Sequence, residues 1–253
     1  RWARWRVAAL MLIVGVLAAG CSPPHPAERH LREARNYFKR DQLDKARCQI
    51  EQAIESDTHR EQTYWAAMRL YASEERFADA ASVGDLLISL SDSREGSKSS
   101  DEESAQLYLA TGMFHQWSDN LPGAESAYMR ALALAPDSPV LLNALGYFYA
   151  DEGIKLTKAL ELTNRAVELA PDSAEIIDSL GWAHYRLGNY DQAVMHLKRA
   201  VELAPDEAEL RYHLGAAYAK HGDKLAARIE LRKALILDPD VKDAHTLLNT
   251  VQK

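Results

Sequence analysis

Cysteine is almost missing: Cys21 and Cys48 are the only two in 253 residues. A fold stapled by several disulfides is therefore excluded. Long apolar runs are missing as well. The run near the start, Val7 to Gly20, is too short to span about 30 Å of hydrocarbon as a helix. No stretch of Lys and Arg is interleaved with aromatics, which argues against nucleic acid as a partner. The formal net charge is −7, a surplus that serves solubility. A P-loop, a dinucleotide glycine motif, a nucleophile elbow and a His-Glu-x-x-His pair are all lacking. The nine histidines form no tight cluster, and His213 and His221 have no third candidate ligand beside them. No catalytic residue, no metal and no cofactor are expected.

What is present is a repeat. Arg165-Ala166-Val167-Glu168-Leu169-Ala170-Pro171-Asp172 recurs unchanged as Arg199-Ala200-Val201-Glu202-Leu203-Ala204-Pro205-Asp206, and a looser copy is Arg130–Asp137. Gly112, Gly146, Gly181 and Gly215 follow the same period of 34 or 35 residues. So do Ala124, Ala159, Ala193 and Ala227, then Ala131, Ala166, Ala200 and Ala234, and finally Pro136, Pro171, Pro205 and Pro239. A mid-helix glycine costs about 1 kcal/mol of helix propensity, so its recurrence needs a packing reason, the close approach of a neighbouring helix. A recurrent proline ends a helix. Asp172 and Asp206 stand where the next helix begins, with Glu175 and Glu209 three residues on, the spacing of a capping box. Ser138-Pro139 is read as a start with proline at the first helical position.

These glycine, alanine and proline positions resemble the tetratricopeptide (TPR) repeat family. The resemblance implies an all-α, right-handed superhelical solenoid of about six helix-turn-helix units with a C-terminal capping helix. In that register 27–94 holds two degenerate units, with Met68 in a glycine slot and Leu87 in an alanine slot. Four units fill 105–241, as 105–138, 139–173, 174–207 and 208–241. The extra residue of the second is expected in the loop Asp151–Lys155. The remainder, 242–253, is read as the capping helix and tail. Residues 95–104 lack an apolar period and are read as a polar linker. Cys48, beside Ala46 and Ile50, is expected to pack. His115 and His184 occupy a slot usually held by Tyr and are also expected to pack.

The first 20 residues have Arg1, Arg4 and Arg6, a short apolar centre and small residues at the end, the layout of a signal peptide. Leu17-Ala18-Ala19-Gly20-Cys21 resembles a bacterial lipobox. The resemblance implies a lipid on Cys21, with 21–26 as lipidated cysteine and Pro-rich spacer. Ser22 resembles the sorting signal of outer-membrane lipoproteins, implying a periplasm-facing anchor.

The TPR resemblance also implies a concave groove lined by the first helix of each unit. By register its residues are Leu109, Met113, Gln116 and Trp117, then Asn143, Tyr147 and Asp151, then Asp178, Trp182, Tyr185 and Arg186, then Glu209, Tyr212, His213 and Lys220. The aromatics are the expected anchors. Lipobox and repeat count together resemble bacterial envelope TPR lipoproteins. One such group is the type IV pilus pilotins that assist secretins; another presents substrates to processing proteases. Leu142–Tyr147 and Ile177–Trp182 are similar to a pattern in the second group. The first expectation is a lipid-anchored scaffold that binds other envelope proteins. The alternatives are a pilotin-like assembly factor and an envelope hydrolase on a TPR frame, for which no convergent residues are seen.

Overall fold

The computed structural model describes residues 25–93, 100–241 and 243–251. The expected signal peptide, Cys21 and most of the spacer lie outside these, as do residues 95–99 of the expected linker. Among the described residues there are thirteen helices and no strand. They fall into two compact units, one through Ala131 and one from Leu132 on.

The amino-terminal unit holds α1 Pro26–Phe38, α2 Leu43–Glu55, α3 Glu61–Ser73, α4 Phe77–Ser93, α5 Asp101–Trp117 and most of α6 Leu121–Leu134. Its core gathers Ile50, Tyr64, Met68, Leu87 and Phe114. Met68, in the degenerate glycine slot, is fully buried. The close approach in this region falls instead at Gly84, whose α-carbon lies against Thr111 of α5. Two expectations are corrected here. Residues 100–104 are not linker: Ser100 caps α5, accepting from the Glu103 amide at 3.2 Å, and the Glu103 carboxylate accepts from the Ser100 amide at 2.9 Å. This reciprocal pair satisfies two of the orphan donors at the helix start. Cys48 is exposed rather than packed. Ala46, Ile50 and Ala53 form the buried stripe of α2, and a residue two positions from Ala46 points to the opposite side of a helix.

The carboxy-terminal unit holds α7 Pro139–Glu152, α8 Leu156–Leu169, α9 Ala174–Arg186, α10 Tyr190–Leu203, α11 Ala208–His221, α12 Lys224–Leu237 and α13 Ala244–Val251. Each second helix stops two residues before Pro171, Pro205 or Pro239, and all of these prolines are exposed, as is Pro136 after α6. Proline bars the α conformation of the residue before it, which ends the helix without any tertiary contact. The glycines meet the partner helix of their own hairpin. A β-carbon on Gly181 would lie 2.6 Å from Leu197 Cγ, one on Gly215 2.8 Å from Leu231 Cγ, and one on Gly146 2.8 Å from Thr163 Cγ2. Gly112 does the same in the amino-terminal unit, 2.9 Å from the Tyr128 ring. Ala159, Ala193 and Ala227 are fully buried in the facing helices. Ala244 and Val251 of α13 cover Ala227 and Leu231, which closes the apolar end of the last hairpin.

The helix starts differ in detail from the capping boxes expected at Asp172 and Asp206. The caps fall one residue later, at Ser173, whose hydroxyl accepts from the Ile176 amide, and at Glu207, whose side chain makes no cap bond. Asp172 stays exposed and sits 3.9 Å from Arg199. Between α7 and α8 the extra residue is absorbed by Gly153 (φ 70°) and Lys155 (φ 46°), both left-handed. Gly153 carries no steric penalty there.

Candidate functional site

The expected groove residues divide by unit. In the amino-terminal unit Leu109, Met113 and Trp117 are half-buried on α5. Trp117 packs edge-on against Phe77 of α4, ring centroids 5.1 Å apart, and against Phe114 at 5.7 Å. It is a core-edge residue rather than an open anchor. Gln116 accepts a hydrogen bond from the Tyr128 hydroxyl at 2.9 Å.

In the carboxy-terminal unit the first helices α7, α9 and α11 adjoin, and their expected residues come together. Asp178, Tyr147, Trp182 and His213 are buried, whereas Asn143, Tyr185, Arg186 and Tyr212 are half-buried. This corrects the picture of aromatics standing free on a wall. Trp182 is only 6% exposed. Its indole stacks on Tyr185 (centroids 4.6 Å, planes 11° apart) and on His213 (4.2 Å, 22°). Asp178 lies one turn before Trp182 on α9, and its Oδ2 is 2.7 Å from His213 Nδ1 on α11. Beside them Arg186 donates from Nη1 to the Asp151 carbonyl on α7. Tyr212, next to His213, packs toward α13.

The electrostatics follow from this packing. Burial disfavours the charge on His213, but Asp178, and then Glu209 and Asp151, outweigh it and hold the imidazole above its ordinary value. Asp178 Oδ2 accepts a hydrogen bond from Nδ1–H, so in the imidazolium form Nε2 is a second donor. The stacked indole adds attraction for that cation. Burial, then the Asp243, Tyr185 and Asp151 charges, push the Tyr212 hydroxyl up to about 12, so it stays a neutral donor. Four polar side-chain atoms of the cluster have no hydrogen-bond partner among the described residues: Asn143 Oδ1, Asp178 Oδ1, Trp182 Nε1 and His213 Nε2. Two are acceptors and two are donors.

Register reasoning placed Asp178 and His213 on neighbouring first helices, but as separate groove positions. Their pairing was missed, although their spacing of one repeat plus one residue carries a signal for it. A second pair was also missed. His184 of α9 and His196 of α10 stack 5.4 Å apart with planes 3° from parallel, so His184 does pack, as expected of its slot. His115 packs too, in the amino-terminal unit, 3.1 Å from Asp85.

Burial, and for His184 also the neighbouring imidazole, lower the values of the His184 and His196 pair below the ordinary 6.5. Both are neutral folded and both take up a proton more readily unfolded. Stability therefore declines as pH falls from about 6.5 toward their lowered values, and is unaffected above that window. Thermal melts from pH 7.5 to 5 should show this slope, and His196→Gln should flatten it. An unchanged slope in that variant would place the acid sensitivity elsewhere.

Family models for the TPR repeat match residues 181–222, and for the tetratricopeptide repeat residues 208–241. No curated protein sequence matches the chain. Among solved structures, the APC/C hetero-tetramer Cut9–Hcn1 is similar over 91% of this chain, with 21% identity and a TM-score of 0.64. This chain spans 44% of that one. The TPR protein YrrB, described as having an unusual peptide-binding site, is similar over 80% of this chain and 97% of its own, with 22% identity and a TM-score of 0.52. The helical hairpins, their glycine contacts and these matches together give the chain a tetratricopeptide solenoid fold, with tetratricopeptide repeats identified across 181–241.

Proposed function

We propose that this protein is a non-catalytic adaptor that holds an extended segment of another envelope protein against α7, α9 and α11, while a lipid on Cys21 tethers it to the bacterial outer membrane, facing the periplasm. The four polar atoms without partners carry the first half of this reading. A buried polar atom left without a hydrogen bond costs about 1–3 kcal/mol, and a ligand that completes the bond removes that cost. These atoms are closed off in the unbound chain, so a peptide backbone displaces the half-buried Tyr185 and Tyr212 before it offers carbonyls to Trp182 Nε1 and His213 Nε2 and amides to Asp178 Oδ1 and Asn143 Oδ1. Tyr185 and Tyr212, half-buried beside them, supply aromatic faces at a small entropic cost. The similarity to YrrB, whose description names peptide binding, supports the same reading. The tether rests on Leu17–Cys21 and the basic, then apolar, residues before it.

A displayed library of random peptides tests the first half. Binders should lose at least about tenfold in affinity per folded molecule on Asn143→Ala or Tyr185→Ala, the scale of one or two lost contacts. Binding indifferent to both substitutions would remove the assignment to this face. For the tether, Cys21→Ser should move the chain from the envelope to the soluble fraction; retention in the membrane would refute the lipid.

A further inference from the structure

The outward face of α12 is unlike the same face of the two preceding hairpins. Leu225, Ile229 and Ile236 stand 62%, 44% and 80% exposed, and four, seven and eleven residues of spacing put them on one side of the helix. The repeat itself provides the control. At the slot of Leu225 the earlier units carry Thr157 and Asp191; at Ile229 they carry Glu161 and Met195; at Ile236 they carry Glu168 and Glu202. All six are exposed. The three aliphatics therefore replace mostly polar residues at positions where packing within the hairpin asks for nothing. They remain exposed with α13 in place, since α13 covers the Ala227 and Leu231 side.

The charges on this helix run against those of the chain. Arg232 lies within the stripe, Lys224 and Arg228 flank one side, and Lys233 flanks the other. The helix has one acid, Glu230, which is turned inward to Arg211 at 2.7 Å and to Lys233 at 2.8 Å. In a chain of net charge −7, this face combines cations and bare aliphatics with no outward carboxylate.

We propose that this face of α12 docks flat on an anionic lipid surface. The match is chemical. Headgroup phosphates lie above hydrocarbon, and long basic side chains reach the phosphates while aliphatics between them enter the acyl boundary. A protein partner is the weaker fit, because the stripe is a ridge of Leu and Ile without the aromatic anchors that dominate protein hot spots. A second copy fits less well, since its matching face would set cations against cations. The contact is separate from the Cys21 tether and from the peptide face on α7, α9 and α11.

The test uses the full chain with Cys21→Ser and Cys48→Ser, carrying a small apolar fluorophore on Ile229→Cys or, as the repeat-matched control, on Glu161→Cys. Vesicles contain brominated acyl chains in phosphatidylcholine alone or mixed with phosphatidylglycerol. Quenching per vesicle-bound molecule should appear at 229 only with phosphatidylglycerol, vanish in high salt, and stay absent at 161. Each basic residue near such a surface is worth about fivefold in partitioning, so Arg228→Glu with Arg232→Glu should lower the docked fraction at least about tenfold. Leu225→Gln with Ile236→Gln, both exposed, should lower it too without shifting the melting midpoint. Equal quenching at 229 and 161, quenching indifferent to lipid charge, or none at 229 would each overturn the proposal. So would loss of exposure at 229 that depends on protein concentration rather than on lipid, which would mark a self-association face.

Discussion

Gly181→Leu should lower the thermal midpoint of the chain by about 5–10 °C. A β-carbon alone would lie 2.6 Å from Leu197 Cγ, 2.9 Å from its Cδ2 and 3.1 Å from its backbone nitrogen. Leu197 is fully buried, so it has no free volume into which to turn. The strain is met only by moving α9 and α10 apart, which strips packing from Ile177, Ala193 and Val201 in the same core. Overpacking of this kind costs about 1–3 kcal/mol and more when backbone is in the way, and each kcal/mol is worth about 2–4 °C in a chain of this size. Gly188 provides the control. Its φ is 82° and nothing lies within 4 Å of a β-carbon there, so Gly188→Ala should show only the smaller backbone penalty. Calorimetric melts that rank the two variants equally would mean that helix approach is not what the repeated glycine secures.

Asp178→Ala should destabilise the carboxy-terminal unit by about 3–5 kcal/mol, because it leaves the fully buried His213 without its counter-charge. Converting both partners, Asp178→Leu with His213→Leu, should cost less than the single change, since no buried charge remains. The pH response separates this pair from ordinary packing. His213 is held above 6.5 in the folded chain. Its stabilisation is thus complete below about pH 6.5 and fades as pH rises through the raised folded value. In Asp178→Ala the cation has lost its chief support, so the slope over that window should disappear or reverse. Urea titrations at pH 6 and pH 8.5 measure both effects. A double variant as unstable as the single one, with an unchanged pH slope, would show that Asp178 and His213 are not energetically coupled.

The two experiments mark where reading along the chain succeeds. Gly112, Gly146, Gly181 and Gly215 were assigned to close helix contacts because the repeat presents the same steric demand four times, and each does meet its partner helix. Prolines and buried alanines were legible for the same reason. They act on their own backbone or at a contact fixed by the hairpin. Ser100 and Glu103 were also legible in principle, as Ser-x-x-Glu before a helix, but the polar density around them resembled a linker. The cap at Ser173 was misplaced by one residue because Asp172 and Ser173 are equally suited chemically, and only backbone geometry selects between them.

Period alone determined the helical hairpin, its length, its stops and its small-residue seams, because those depend on contacts within a few turns of chain. It did not determine which groove positions are open. Trp182 reads as an anchor in one repeat and is enclosed by Tyr185 of its own helix and His213 of the next. Its burial is completed by a side chain a full repeat away, and the partner of Asp178 is set in the same manner. Those features exist only once neighbouring hairpins are laid side by side, so tertiary structure alone decided them.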